Sequence, residues 1–131
     1  MTIAEVPSLP DASCAAPGSR WADRLFAAID GRDWRALEAL LDPNATYERP
    51  GYAPLVGAEE IMYFYRHVRI IRSGRHEVHG VIEGRNMLNH YGRFQGLAKD
   101  GTPLDVLFCD VCQVSSGLLR HRRTFFYVPA I

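Results

Sequence analysis

The sequence has few cysteines, no net charge and no long hydrophobic run. Its 131 residues include 3 cysteines, and 15 basic residues balance 15 acidic ones. A neutral chain lacks the broad field that draws proteins to nucleic acids or anionic membranes, and no apolar stretch approaches the ~20 residues of a membrane span. An odd number of cysteines fits a reducing compartment. We therefore expect a cytoplasmic protein that binds neither nucleic acid nor membrane.

The sequence also lacks the patterns of metal and cofactor sites. Cys109 and Cys112 form a CxxC pattern, but in a strand their side chains point to opposite faces, and the same holds for His76 and His79. No phosphate loop or dinucleotide fingerprint is present. The sequence predicts no metal and no cofactor.

The length predicts one domain, residues 19–131, after a flexible tail of residues 1–18 that is rich in proline, alanine and serine. Hydrophobic periodicity predicts helices that begin at Ser19, Asp33 and Ala58 and end at Gly31, Asp42 and Gly74. It predicts strands at residues 44–51, 76–84, 87–98, 103–114 and 118–128. The fold class expected is α+β, with three helices over one face of a curved antiparallel sheet.

The most informative residue is Asp110, a carboxylate inside the otherwise apolar strand VLFCDVCQV. A charge in a strand core is costly unless it is paired or used. If Ser116 and Gly117 form a two-residue hairpin turn, Asp110 lies opposite Arg123, and Cys112 lies opposite His121. The same register places Phe108 opposite Phe125.

The preceding hairpin is predicted from the sequence KDGT, in which Asp-Gly suits a two-residue type I′ turn. Following that ladder, Tyr91 lies opposite Asp110, Asn89 opposite Cys112 and Arg93 opposite Phe108. Both turns then place polar groups around Asp110 within apolar surroundings. This composition is typical of a small-molecule pocket.

The order of elements, the segment LLDPNATYERPG, the following G-x-E-x-I helix and the hairpin FCDVCQVSSGLLRHRR resemble the SnoaL-like and ketosteroid-isomerase-like branch of the nuclear transport factor 2-like superfamily. The resemblance covers residues 19–128. It implies a cone whose open end admits a small apolar ligand. It also implies a family that includes isomerases, polyketide cyclases, epoxide hydrolases and non-catalytic members.

Two positions of the family pattern can be compared with this chain. Asp110 matches an aspartate before the last hairpin turn that acts as acid, base or hydrogen-bond donor in several members. Where the isomerases place a carboxylate before the proline of the first strand, this chain has Arg49. Glu48 should point away from Tyr47 and Arg49, so a steroid-isomerase mechanism is not expected, and Tyr47 with Arg49 would hold an oxyanion, carboxylate or epoxide oxygen.

The function expected is a cofactor-independent acid/base enzyme, a cyclase, isomerase or epoxide-opening enzyme, acting on a small apolar oxygenated molecule of polyketide type. Asp110, Tyr91 and His121 are the expected catalytic residues, with Asp110 as base if Arg123 dominates its pKa and as acid if burial does. The expected substrate-binding residues are Tyr47, Arg49, Asn89, Arg93, Phe108, Cys112, Arg123, Phe125 and Phe64. A thiol nucleophile, Cys112 beside His121, is an alternative.

A second hypothesis is a non-catalytic ligand-binding or dimerisation module, in which Asp110 and Arg123 form a structural pair. The residues expected on the uncovered face of the sheet are Leu107, Cys109, Val111, Phe94 and Phe126. This apolar face predicts a homodimer packed sheet to sheet. His67, His76, His79 and His90 are interpreted as surface or packing residues.

Overall fold

A computed structural model of the protein describes residues 20–129, so the predicted tail at residues 1–18 lies outside the described residues. The helices of this range are α1 (Trp21–Asp30), α2 (Trp34–Ala39) and α3 (Ala58–Tyr63), and α3 continues as a π-helical segment, Phe64–Val68. The strands are β1 (Leu41–Glu48), β2 (Leu55–Val56), β3 (Ile71–Gly84), β4 (Met87–Ala98), β5 (Pro103–Ser115) and β6 (Leu118–Phe126).

The strands form one six-stranded sheet in the order β2-β1-β6-β5-β4-β3. Neighbouring strands are antiparallel except β1 and β6, which run parallel. α1 packs against β3 and α3 against β1, so the helices cover one face of the curved, unclosed sheet. This α+β cone confirms the predicted fold class. The short strand β2 lies between the strand predicted at residues 44–51 and the helix predicted from Ala58, where no strand was predicted.

The first two helices form as their sequences predict. α1 buries the apolar side chains that recur at helical spacing, including Leu25, Phe26 and Ile29. The Asp33 side chain accepts a hydrogen bond from the Ala36 backbone amide at 3.1 Å and so caps the start of α2. α2 ends before the predicted stop at Asp42, because β1 already begins at Leu41.

The third helix is shorter than predicted. Residues 58–74 were expected to be helical, but the helical segment ends at Val68 and Arg69 has an extended backbone with φ −55° and ψ 130°. Ile71 instead pairs with Ala98 at the start of β3, and the Ile70 carbonyl accepts a hydrogen bond from the Lys99 amide. β-branched residues favour such pairing. As a result, Arg69 is buried where the helix meets the sheet.

The β4–β5 turn contains three residues rather than the predicted two. Ala98 pairs with Thr102 through its amide, and the Ala98 carbonyl accepts a hydrogen bond from the amide of Gly101, whose φ is +89°. This is a type I turn followed by a bulge at a left-handed residue. The extra residue shifts the register by one, so His90 lies opposite Asp110 and the prediction for Tyr91 is wrong.

The β5–β6 turn is the predicted two-residue turn, since Ser115 pairs with Leu118 and both central residues have positive φ. A bulge at Arg120 follows, however, because Val114 pairs with Leu119 and Gln113 with His121. Beyond the bulge the predicted register is therefore wrong by one residue. The observed partners are Asp110 with Thr124, Cys112 with Arg122 and Phe108 with Phe126.

These two shifts decide which residues share a face. We call the helix-covered side the inner face; it carries Tyr47, His90, Phe94, Phe108, Asp110, Cys112, Arg122, Thr124 and Phe126. The other side, the outer face, carries Glu48, Asn89, Tyr91, Arg93, Leu107, Cys109, Val111, His121, Arg123 and Phe125. Phe94 and Phe126 were wrongly expected on the outer face. Within residues 20–129, no helix is long and apolar enough to cross a membrane.

Candidate functional site

Asp110 lies at the centre of the inner face and is completely buried. Its Oδ2 accepts hydrogen bonds from His90 Nε2 at 2.7 Å and from Arg122 Nε at 3.1 Å, with Arg122 Nη2 at 3.0 Å. Its Oδ1 accepts a hydrogen bond from the Thr124 hydroxyl. Each of the two strands that flank β5 thus supplies donors to this carboxylate. The predicted polar cluster exists, but it is made of His90, Arg122 and Thr124.

The charge of Asp110 is set by two opposing effects. Burial alone would raise the pKa of this carboxyl, but the Arg122 guanidinium and the hydrogen bonds from His90 and Thr124 hold the pKa of Asp110 well below its ordinary range. Burial likewise opposes the charge of Arg122, yet Asp110 keeps the pKa of Arg122 raised. Asp110 is therefore an ionised acceptor whose two oxygens are both occupied.

A hydrogen-bond relay connects Asp110 to Tyr47. The Tyr47 hydroxyl lies 2.9 Å from Thr124 Oγ1, and the Thr124 proton is donated to Asp110. Tyr47 must then be the donor to Thr124. Burial raises the pKa of Tyr47 to about 12. The phenol stays protonated, and its proton is committed to the relay rather than to a ligand.

His76 on β3 forms a second acid–imidazole pair, with Asp30 at the end of α1. His76 Nδ1 lies 2.6 Å from one oxygen of Asp30, and the His76 backbone amide donates to the other oxygen at 2.7 Å. The imidazole stacks on Phe26, with ring centroids 4.1 Å apart and planes 14° from parallel. Burial lowers the pKa of His76, although Asp30 opposes this. The ring is thus held neutral and in one orientation.

An interior cavity lies between the inner face and the helices and is lined by aromatic and basic side chains. Its lining residues are Tyr47, Arg49, Tyr65, Arg69, Ile71, His76, Phe94, Phe108, Arg122, Thr124 and Phe126. Its volume is about 20 Å³, which is room for about one water-sized group. Three guanidiniums and one imidazole therefore surround a space that accepts a single polar atom.

The arginines of the cavity differ in their partners. Arg122 binds Asp110 and donates from Nη1 to the Tyr65 hydroxyl at 2.8 Å. Arg49 lies over the rings of Tyr52 and Phe64, with its guanidinium carbon 5.4 and 5.0 Å from their centroids. Arg69 packs against aromatic rings and has a buried Nε without a hydrogen-bond partner. Within residues 20–129, Arg69 Nε is therefore a polar group of the cavity wall that is left for a ligand.

The structure does not bring the three predicted catalytic residues together. Asp110 lies on the inner face, whereas Tyr91 and His121 lie on the outer face, where Tyr91 is 44% exposed and His121 Nε2 bonds Glu48 at 2.7 Å. The prediction that Glu48 points away from Tyr47 is confirmed by its bonds to His121 and Arg123.

The predicted substrate-binding residues divide in the same way. Tyr47, Arg49 and Phe108 line the cavity. Phe64 and Cys112 are buried in the core. Residues that lie on the outer face instead are Asn89, Arg93, Arg123 and Phe125. Because Cys112 pairs with Arg122 and burial raises the pKa of its thiol, the predicted thiol–imidazole pair with His121 is wrong.

Sequence reasoning missed His76, Asp30, Arg69, Tyr65 and Arg122. His76 and His90 were interpreted as surface or packing residues, but both are hydrogen bonded to buried or half-buried carboxylates. The sequence did contain a signal for Asp30, because this carboxylate occupies the last position of the amphipathic helix α1. Its partner is 46 residues away, and this contact depends on how α1 lies on the sheet.

The described residues contain no group of three histidine, cysteine or acidic side chains that could hold a metal ion. Both acid–imidazole pairs also have their carboxylates committed to hydrogen bonds. The side chains that the site offers for chemistry are a neutral imidazole, phenols and guanidiniums around a small cavity.

Solved structures with the same fold include proteins of several kinds. A hypothetical protein with a ketosteroid isomerase-like fold from Catenulispora acidiphila is 16% identical with a TM-score of 0.75, covering 86% of this chain and 89% of that one. An LEH-like epoxide hydrolase from M. tuberculosis is 16% identical with a TM-score of 0.72, covering 82% of this chain and 80% of that one. IdmH, a putative polyketide cyclase from Streptomyces antibioticus, is 15% identical with a TM-score of 0.70, covering 86% and 93%.

At these identities the similarities establish the fold and not the reaction. No curated protein sequence matches the chain significantly. The family model described as the SnoaL-like domain matches residues 22–122, which include both acid–imidazole pairs and almost the whole sheet. The chain therefore belongs to the SnoaL-like domain family.

Proposed function

We propose that the protein is a cofactor-independent acid/base enzyme that acts on a small, largely apolar, oxygenated molecule of polyketide type. The reaction would be a cyclisation, an isomerisation or the opening of an epoxide. The family and the neighbours of known type support this class. The observation that carries the proposal is the His76–Asp30 pair, because it places an oriented neutral imidazole on the wall of an aromatic cavity.

His76 is the best candidate for the general base. Asp30 accepts the Nδ1 proton, so in the neutral ring Nε2 carries the lone pair that can take a proton from a substrate. The second bond of Asp30, from the His76 amide, fixes the carboxylate relative to the strand. Such an orienting carboxylate also stabilises the imidazolium once the proton has moved.

Tyr65 and Arg69 are the candidates for stabilising negative charge on substrate oxygen. The Tyr65 hydroxyl accepts a hydrogen bond from Arg122, and its own proton makes no hydrogen bond among residues 20–129. Arg69 lines the same cavity and lies over the Tyr65 ring at 5.4 Å. A phenol donor beside a guanidinium suits an enolate or alkoxide that forms when a base removes a proton.

Asp110 is proposed as a positioning residue for this site. It holds Arg122 and Thr124, both of which line the cavity, while its own oxygens are occupied by four donor atoms. A direct proton transfer by Asp110 stays a prediction from the family pattern. Tyr91 and His121 keep a catalytic role only if a ligand binds on the outer face.

The test is proton exchange. Cyclic 1,3-diketones and aryl ketones are incubated with the protein in D₂O, and loss of the acidic C–H signal is followed by NMR; epoxides are followed by diol formation. His76→Gln should lower the rate by about 10²–10⁴, with Asp30→Asn also impaired. The control is His79→Gln, a change on the same strand at an exposed histidine. A folded His76→Gln protein with the wild-type rate would contradict the proposal.

The pH profile tests the same assignment. The groups that act on the His76 pKa besides burial are Asp30, Arg69 and Arg122. Since the pKa of His76 is lowered from its usual value of about 6.5, the neutral base is fully present at pH 7. The rate should be level there and should fall only as the pH decreases through the lowered pKa of His76. In Asp30→Asn, which removes the anion, the acid limb should move to lower pH.

A non-catalytic ligand-binding module is the second candidate function. It is favoured by one observation, the small size of the cavity, because about 20 Å³ cannot enclose a whole metabolite without movement of the aromatic walls. This candidate predicts ligand binding without proton exchange for any member of the panel.

Homodimerisation through the outer face and a cytoplasmic location are also part of the proposal. Tyr91, Cys109 and Phe125 are directly opposite one another on three adjacent strands, with the exposed Leu107 beside them. An apolar row of this kind suits a second copy of the same face. Cys109 and Cys112 are both free thiols, which fits a reducing compartment.

A further inference from the structure

We propose that Arg69 binds an anionic group of the ligand, so that the site takes an organic acid, a carboxylate or an ionised enol attached to an apolar body, in preference to a neutral ketone or epoxide. This inference names the ligand class of the cavity described above and thus rests on the proposed function. Its main observation is a different one from the His76–Asp30 pair, namely the buried Arg69 Nε without a hydrogen-bond partner among residues 20–129.

Arg69 is a buried charge that forms no ion pair within residues 20–129, although Asp30 acts on it at longer range. The residue is only 7% exposed, and its guanidinium makes no hydrogen bond or ion pair within residues 20–129, where its buried Nε has no partner. Its described contacts are the rings of Tyr65 and Phe94, at 5.4 and 5.9 Å. Burying a guanidinium in this way is costly unless an anion completes its interactions.

Arg122 shows what a satisfied arginine looks like in the same interior. It is 4% exposed, and its Nε, Nη1 and Nη2 are all bonded, to Asp110 and Tyr65. The hydrogen bonds of Asp110 come from His90, Arg122 and Thr124, and none comes from Arg69. Asp30 uses one oxygen for the His76 ring and the other for the His76 amide. The nearby carboxylates of the described chain are therefore committed elsewhere.

The surroundings of Arg69 indicate the shape of the acid. The cavity admits about one polar group, which matches the oxygen of a carboxylate or enolate in contact with the guanidinium. Beyond that oxygen, the walls are the rings of Phe94, Phe108 and Phe126. Flat side chains of this kind favour a planar hydrocarbon body, which they can contact by stacking once they move apart, because the cavity of about 20 Å³ holds only about one polar group. Arg49, on the same wall, adds a second positive charge.

The experiment compares acids with neutral amides of the same size. Acetate against acetamide, and benzoate against benzamide, are titrated into the full chain by calorimetry and by thermal unfolding. Each acid should bind at least tenfold more tightly than its amide, and benzoate more tightly than acetate. Equal binding of acid and amide, or no binding of either acid, would overturn the proposal.

Variants test whether the acids bind at Arg69. Arg69→Met should abolish the preference for acid and should raise the melting temperature without ligand, because it replaces an unpaired buried charge by an apolar side chain. Arg69→Lys keeps the charge and should keep part of the preference. The matched control is Arg93→Met, at an arginine of the outer face that is 44% exposed and pairs with Asp105; acid binding should not change. Unchanged acid binding in Arg69→Met would assign Arg69 a structural role.

The outcomes separate this inference from the proposed function. Acid binding that depends on Arg69, without proton exchange on any compound, would support the inference and favour the non-catalytic module. Proton exchange that depends on His76, with equal binding of acids and amides, would support the enzyme and overturn the inference.

Discussion

Each face of the sheet carries a cluster of one carboxylate, one arginine and one histidine, but in different surroundings. On the inner face, Asp110 binds Arg122 and His90; on the outer face, Glu48 binds Arg123 and His121. The two arginines are consecutive in the sequence. The inner carboxylate and imidazole side chains are completely buried, whereas those of the outer face are 33% and 27% exposed.

Residue type alone therefore does not determine how much a charged cluster contributes to stability. In the interior, burial opposes every charge, so Asp110 is tolerated only because several donors surround it. On the outer face, water competes with each hydrogen bond, although His121 and Arg123 still lower the pKa of Glu48. The inner cluster organises a cavity wall, while the outer cluster lies on the rim of an exposed apolar row.

The largest difference between the two clusters is expected when the arginine of each is replaced in turn. Arg122→Met leaves Asp110 as a buried carboxylate without its cation and should lower the free energy of unfolding by about 3–5 kcal/mol. Arg123→Met, one position later, should change stability little, because its guanidinium is 52% exposed. Urea unfolding of both variants at pH 7 measures the difference. Equal losses would show that the two clusters are energetically alike.

The second test concerns association. If the row of Tyr91, Cys109 and Phe125 is the dimer contact, Phe125→Asp places a charge in it and should weaken the dimer by more than tenfold without unfolding the monomer. Sedimentation of wild type and variant over a range of concentrations measures this. The control is Tyr63→Asp, at an aromatic of α3 that is 62% exposed on the other side of the sheet. A wild-type protein that sediments as a monomer would contradict the proposal.

The sequence predicts the secondary structure of this protein better than the directions of its side chains. Periodicity places the helices and the four-strand meander, and the limits of β4, residues 87–98, are those predicted. It also places a carboxylate cluster at Asp110. The face of the sheet on which each side chain lies is harder to predict, because a register shift of one residue exchanges the two faces of a strand.

The two errors of predicted register, at the β4–β5 turn and at Arg120, have local physical causes. Asp-Gly suits a two-residue type I′ turn and also a three-residue turn with glycine at the left-handed position, and KDGT forms the second. The bulge at Arg120 has no glycine to mark it. Each shift replaces the expected neighbour of Asp110 with the adjacent residue, His90 for Tyr91 and Arg122 for Arg123. The His76–Asp30 contact could not be predicted, since it depends on the docking of α1.

The smallest expected effect concerns the turn that assigns His90 to the inner face and Tyr91 to the outer. Gly101 has φ +89° and no atom within 4 Å of where a Cβ would lie. Gly101→Ala should therefore destabilise the protein by about 1 kcal/mol through backbone strain alone. Lys99→Ala, in the same loop at negative φ, should cost less than about 0.5 kcal/mol.

The turn variant also tests whether the register depends on this glycine. Inner-face packing of Phe94 and Phe108 and the bond from His90 to Asp110 are all lost if β4 slips by one residue. We therefore expect NMR contacts between β4 and β5 to keep His90 opposite Asp110 in Gly101→Ala. A variant in which Tyr91 moves opposite Asp110 would show that the turn, rather than the buried cluster, selects the residues of the two faces.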